Sequence, residues 1–240
     1  MIKYLNLILF VAMVVMNYLA NALPLNNKTT SEISDSFPNL FVPAGLTFAI
    51  WGLIYLMLAV YCVVQFTSEK QEIISEFNWL FSLTCIFNAL WIVAWHYGKL
   101  PLSLIITLGL LVSLIHINNI IKPIHLGVIK ASFGIYLGWV CIATIANVTA
   151  LLVYYNWNGW GLSEVIWTNI MIFTGAVIAS FTIFMVNNPF IGLAVIWAFI
   201  GIIIKRQYDI KTIALTASLA IIIVSIVTIW GFFRKVTITA

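Results

Sequence analysis

Eight apolar stretches separated by short polar turns occupy most of this chain, and that pattern leaves it almost no soluble way to fold. A bilayer span needs roughly 20 apolar residues in a row. Residues 1–22, 43–66, 79–95, 102–121, 133–153, 163–186 and 212–233 read as seven such spans. Residues 190–204 form a shorter eighth, which suits either a thin crossing or a partly re-entrant helix. Backbone groups in hydrocarbon must be satisfied within their own segment, so each span is a helix. Only 8% of the 240 residues are charged, against about 25% in a soluble domain. The expected fold is all-α: a polytopic transmembrane helical bundle, multi-pass in the cell membrane and in contact with membrane lipid.

The charges that remain exclude several functions. The net charge of +4 comes mostly from single basic residues in turns, which bear on topology and do not build a nucleic-acid surface. Eight crossings from a cytoplasmic N-terminus put Lys3, Lys70, Lys122, Lys130, Arg234 and Lys235 inside and Lys28, Lys99, Lys205, Arg206 and Lys211 outside. Six against five sets no orientation. No charge lies deep in a span, which counts against an ion-coupled pump. Cys62, Cys85 and Cys141 stand apart in apolar spans, and His96, His116 and His125 near span ends have no ligand spacing. No nucleophile–base pair, paired carboxylates or phosphate loop is present, so neither enzyme chemistry nor a cofactor or metal is expected.

Ala20-Asn21-Ala22 imitates a signal-peptide cleavage site, but the apolar run before it exceeds the usual ~7–15 residues, so a retained first helix is expected. Residues 23–42 are rich in Pro, Asn and Ser and read as a loop, long enough to be a lid over a pocket as well as a plain surface connection. Residues 67–78 read as a solvated loop or short interfacial helix, and residues 154–161 as an aromatic turn at the membrane interface.

Three spans carry polar and aromatic stripes. Tyr136, Trp139 and Asn147 fall within about 80° of one another on a helix, Phe48, Trp51 and Tyr55 repeat at i, i+3, i+7, and so do Asn88, Trp91 and Trp95. An amide in hydrocarbon must find a partner, so these faces turn inward. The two asparagines suit helix–helix hydrogen bonds or a pocket lining, and the tryptophans suit packing or ligand contact. Gly134-x-x-x-Gly138 suits close helix approach, within the chain or across a homodimer.

These same stripes carry a resemblance. Phe41-Val42-Pro43-Ala44-Gly45-Leu46-Thr47-Phe48-Ala49-Ile50-Trp51-Gly52-Leu53-Ile54-Tyr55 is similar to the second-span pattern of the TspO/MBR family, the tryptophan-rich sensory or translocator proteins, with two tryptophans and a proline fewer. Phe87-Asn88-Ala89-Leu90-Trp91-Ile92 resembles that family's third span, and Tyr136 through Asn147, with Trp139, Ala143 and Thr144, its fifth. The resemblance covers roughly residues 1–155. It implies a TspO-like five-helix core there, with residues 156–240 as three further transmembrane helices. It also implies a hydrophobic small molecule such as a tetrapyrrole, bound among the helices below the first long loop. The nine ligand-binding candidates are Phe48, Trp51, Tyr55, Asn88, Trp91, Trp95, Tyr136, Trp139 and Asn147. A small-molecule or lipid-like solute transporter, a subunit of a membrane complex, and light-dependent tetrapyrrole breakdown are the rival readings.

Overall fold

A computed structural model describes residues 1–23 and 25–234. Within it the chain is all helix: α1 (Ile2–Ala22), α2 (Thr30–Asp35), α3 (Ile50–Thr67), α4 (Gln71–His96), α5 (Leu100–Ile120), α6 (Val128–Tyr154), α7 (Glu164–Val186), α8 (Phe190–Arg206) and α9 (Lys211–Phe233). A 3₁₀ segment, Gly45–Ala49, leads into α3. Seven helices are long and apolar enough to cross a membrane, α2 and α8 being the others.

With 17 residues, α8 is about 25 Å long at 1.5 Å per residue. It nevertheless runs from one end of the bundle to the other. Just before it starts, Asn188 donates to the Lys130 carbonyl in the first turn of α6, at 2.9 Å. At its end, Arg206 donates to the carbonyls of Leu40 and Asn39 in the first long loop, at 3.2 and 3.0 Å. A re-entrant segment would return to the end it left, and α8 does not.

The bundle is built round α6, in which every residue from Ile129 to Ile142 is buried. A helix that is apolar all round has no lipid-facing stripe and belongs at the centre. Its small residues decide what packs there. A Cβ on Gly134 would sit 2.7 Å from the Asn188 side chain, and one on Gly138 would meet Ala194 at 3.1 Å and the Ile191 carbonyl closer still. The Gly134-x-x-x-Gly138 face is therefore covered by α8 and offers no surface to a second copy.

Elsewhere the elements depart from their expected bounds. The helix expected from residue 79 begins at Gln71, because Ile74, Phe77 and Asn78 are already buried against the bundle. Residues 23–42 hold α2, whose Thr29–Glu32 capping box closes its first turn. Lys130 is no turn residue: it is buried in α6, and its ammonium donates to the carbonyls of Lys122 and Asn187 at 3.0 and 2.8 Å. Those carbonyls end α5 and α7, where the helix dipole favours a cation.

The first helix is bound into the bundle by amides. Asn6, Phe10, Met13, Asn17 and Ala20 form its buried stripe. Asn6 donates to Gln65 and Asn78 at 3.2 and 3.1 Å and accepts from Ser82 at 2.6 Å.

Candidate functional site

The three stripes converge, but in two layers. Nearer the long loop, Phe48, Trp51, Trp91, Trp95, Trp139 and Asn147 line one small cavity, roofed by Ser34 and Pro43. Trp51 is the hub of the rings: Tyr55 stacks on it at 5.6 Å between centroids, Trp91 tilts at 6.0 Å, and Tyr136 and Trp139 meet it edge-on at 6.0 and 6.1 Å. Trp95 stacks on Trp91 at 5.8 Å, and Phe48 meets Trp139 edge-on at 6.0 Å. Such pairs each add about 0.5–1.5 kcal/mol beyond the area they bury.

The other three candidates, Tyr55, Asn88 and Tyr136, lie one layer below and do not line that cavity. They form a polar knot with a residue sequence reasoning missed, Asn17 of α1. Asn17 donates to Asn88 Oδ1 at 2.8 Å, Asn88 donates to the Tyr136 hydroxyl at 2.9 Å, and Tyr55 reaches Asn88 Oδ1 at 3.5 Å. Asn147 is satisfied separately. Its Oδ1 accepts from Ser103 at 2.7 Å and from the Trp91 indole at 3.4 Å, while its Nδ2 donates to the Ala143 carbonyl at 3.0 Å. The two asparagines thus join helices through different partners. Among the described residues the indole N–H of Trp139, which is 3% exposed, has no partner.

The roof is fastened by both halves of the chain. Trp95 donates to the Thr30 carbonyl of α2 at 3.3 Å. Within the capping box, the Thr29 N–H at 2.7 Å and hydroxyl at 2.9 Å hold the Glu32 carboxylate and lower its pKa. From the other side α8 clasps the loop. Besides Arg206, Lys205 pairs with Asp35 at 2.7 Å, Ala44 donates to the Gly201 carbonyl at 3.0 Å, and the Trp197 indole donates to the Thr47 carbonyl at 2.9 Å. A Cβ on Gly201 would lie 2.9 Å from Pro43, so only glycine lets loop and helix approach this closely.

A model of the TSPO-like protein family matches residues 3–230. The chain belongs to the TSPO-like protein family. The match runs through α7 and α8 and most of the way along α9, so the helices that clasp the loop lie within it. No curated protein and no solved structure matches this TSPO-like chain.

The cavity of this TSPO-like protein is small. Its volume is about 30 Å³, room for a water or two, whereas small-molecule pockets run from about 300 to 1,000 Å³. Beside it, between α1 and α3, lies an open groove of about 520 Å³ floored by Phe48, Trp51 and Tyr55. Phe48 and Trp51 line both spaces. Among the described residues no charged side chain lines either one. Chemically, the pair of spaces offers ring faces, aliphatic walls and one free indole donor. Among the described residues no group of three His, Cys, Asp or Glu is placed to hold a metal ion.

Proposed function

We propose that this chain binds a flat, apolar small molecule, a tetrapyrrole in the first instance, between α3, α4 and α6, and that the molecule enters sideways from the membrane between α1 and α3. The observation that carries the reading is the shared wall: Phe48 and Trp51 line both a small aromatic box and a groove more than ten times its volume. Rotation of those two rings joins the spaces and brings them into the range of ligand pockets. The rings of Trp91, Trp95 and Trp139 then face a planar guest, and the free Trp139 N–H donates to one acceptor on it. The loop above is fastened at both ends, which favours lateral entry over entry from above. Binding by itself suits sensing as well as transport, and flux through liposomes separates the two.

The test is a porphyrin titration of the purified chain followed by tryptophan emission. Saturable quenching is expected. Trp139→Phe weakens binding by up to about tenfold, the value of one lost ring contact. Trp230, stacked on Phe184 of α7 at 5.6 Å, is the distant control. Gly52→Phe, which fills open space in the groove, slows association. Equal losses from Trp139→Phe and Trp230→Phe, or no saturable quenching, would overturn this placement.

A further inference from the structure

A second cavity, of about 410 Å³, opens at the same end of the bundle between α6 and α7, outside the aromatic box. Its walls include Phe41, Leu152, Trp157, Trp167 and Met171, and among the described residues its one charged group is Glu164. The turn beneath it is strained. Asn156, Gly159, Trp160 and Gly161 all have positive φ, at 50°, 65°, 50° and 79°. For a residue as bulky as tryptophan that conformation is an outlier. An interfacial aromatic belt needs tryptophans at one depth and requires no such backbone. Here the strain gathers three indoles: Trp157 lies 4.9 Å from Trp167 and 5.4 Å from Trp160, and the Trp167 indole is pinned to the Gly159 carbonyl at 2.7 Å.

The charge beside these rings is unbalanced. A neighbouring hollow shares Glu164 and carries Lys205 and Arg206, but both cations are engaged. Lys205 pairs with Asp35, and Arg206 pairs with Asp209 at 3.1 Å while donating to the loop carbonyls. Among the described residues Glu164 forms no salt bridge. A room-sized cavity with indole walls and one unpaired carboxylate is the arrangement that attracts weakly hydrated cations, by the ring quadrupole and the charge together.

We infer that the α6–α7 cavity is a binding site for a lipophilic organic cation, a quaternary ammonium or phosphonium group, separate from the planar-ligand box. Such a cation reaches an interfacial cavity either as the headgroup of a choline lipid or as a free amphiphile, and the site reads the chemistry they share.

The full chain in an uncharged maltoside detergent is titrated with tetraphenylphosphonium and, separately, with tetraphenylborate, ions of like shape and opposite charge, while tryptophan emission is followed. The phosphonium is expected to bind saturably and at least roughly tenfold more tightly than the borate. Glu164→Gln weakens the phosphonium by roughly three- to tenfold and leaves the borate unchanged. Trp157→Phe gives a smaller loss, and Trp139→Phe gives none, so the result is independent of the box. Displacement by dihexanoylphosphatidylcholine identifies the lipid headgroup as a source; displacement by benzyltrimethylammonium alone identifies the free cation. The inference is overturned by equal binding of the two ions, by full phosphonium affinity in both Glu164→Gln and Trp157→Phe, or by failure of both competitors. Unchanged melting temperatures in the two variants exclude unfolding as the cause of a loss.

Discussion

Gly134→Ala is the sharpest way to ask whether α8 and α6 form one packed unit. The added methyl would sit 2.7 Å from Nδ2 and Oδ1 of Asn188 and 2.9 Å from its Cγ, where ordinary contact begins at 3.4 Å. Asn188 cannot swing aside freely. It is fully buried, donates to Asn118 Oδ1 at 2.7 Å and to the Lys130 carbonyl at 2.9 Å, and accepts from the Phe190 N–H at 3.2 Å. Relieving a shortfall of about 0.7 Å (3.4 less 2.7) stretches at least one of these bonds. Overpacking a fixed core costs about 1–3 kcal/mol, and a buried polar group left unsatisfied costs about as much again. We expect a loss of about 2–3 kcal/mol, or roughly 4–12 °C of melting temperature for a chain of this size. Near-ultraviolet circular dichroism of the detergent-solubilised protein measures it. Gly52→Ala is the control, since nothing lies within 4 Å of the new methyl; it should melt unchanged or slightly higher. Asn188→Ala removes both the obstacle and its bonds, so adding Gly134→Ala to it should cost little more. A double variant that loses the full sum, or a Gly134→Ala protein as stable as Gly52→Ala, would refute the reasoning.

Asn88→Leu and Asn147→Leu should add to within about 0.5 kcal/mol in thermal melting, because their hydrogen-bond partners differ, while Asn17→Leu and Asn88→Leu should couple strongly. Glu32 has a pKa lowered by its bonds to Thr29, so its contribution is complete above its ordinary value and is lost as pH falls through the lowered one. Hydrogen exchange at Thr30–Asp35 should accelerate over that acid range, and Glu32→Gln should remove the dependence. A crossing by α8 places Tyr208, past its end, opposite Lys122, which lies beside Asn187 where it starts. Lys122→Cys and Tyr208→Cys should therefore react with an impermeant maleimide from opposite sides of a vesicle, over a low background from the buried native cysteines; labelling of both from one side would refute a crossing by α8.

The stripes themselves were legible in the sequence. Phe48, Trp51, Trp91, Trp95, Trp139 and Asn147 meet because helical spacing, i, i+3, i+7 in two sets and i, i+3, i+11 in the third, turns each set to one face, and amides in hydrocarbon turn that face inward. The same spacing could not divide them into a box and a knot. That division depends on Asn17, and hence on how α1 is set against α4, which periodicity within one helix does not state. The α2 helix was readable in Thr29-x-x-Glu32, yet the loop-like composition around it hid the capping box. Lys205 and Arg206 looked like turn charges because hydropathy marks where apolar residues stop, whereas a helix continues while its last carbonyls find donors. Their partners Asp35 and Leu40 lie 170 and 166 residues earlier, a separation at which no local pattern operates.

The clasp by α8 also orders events in time. A ribosome makes the loop around Leu40 early and must add 166 residues before Arg206 exists to hold it. At about 5–20 residues per second, the roof of the aromatic box waits roughly ten to thirty seconds for its second fastening. During that interval the Trp95 bond to α2 holds it from one side. Completion of α8 adds the other side, so a message cut short before codon 201 would leave the roof held by the N-terminal half of the chain.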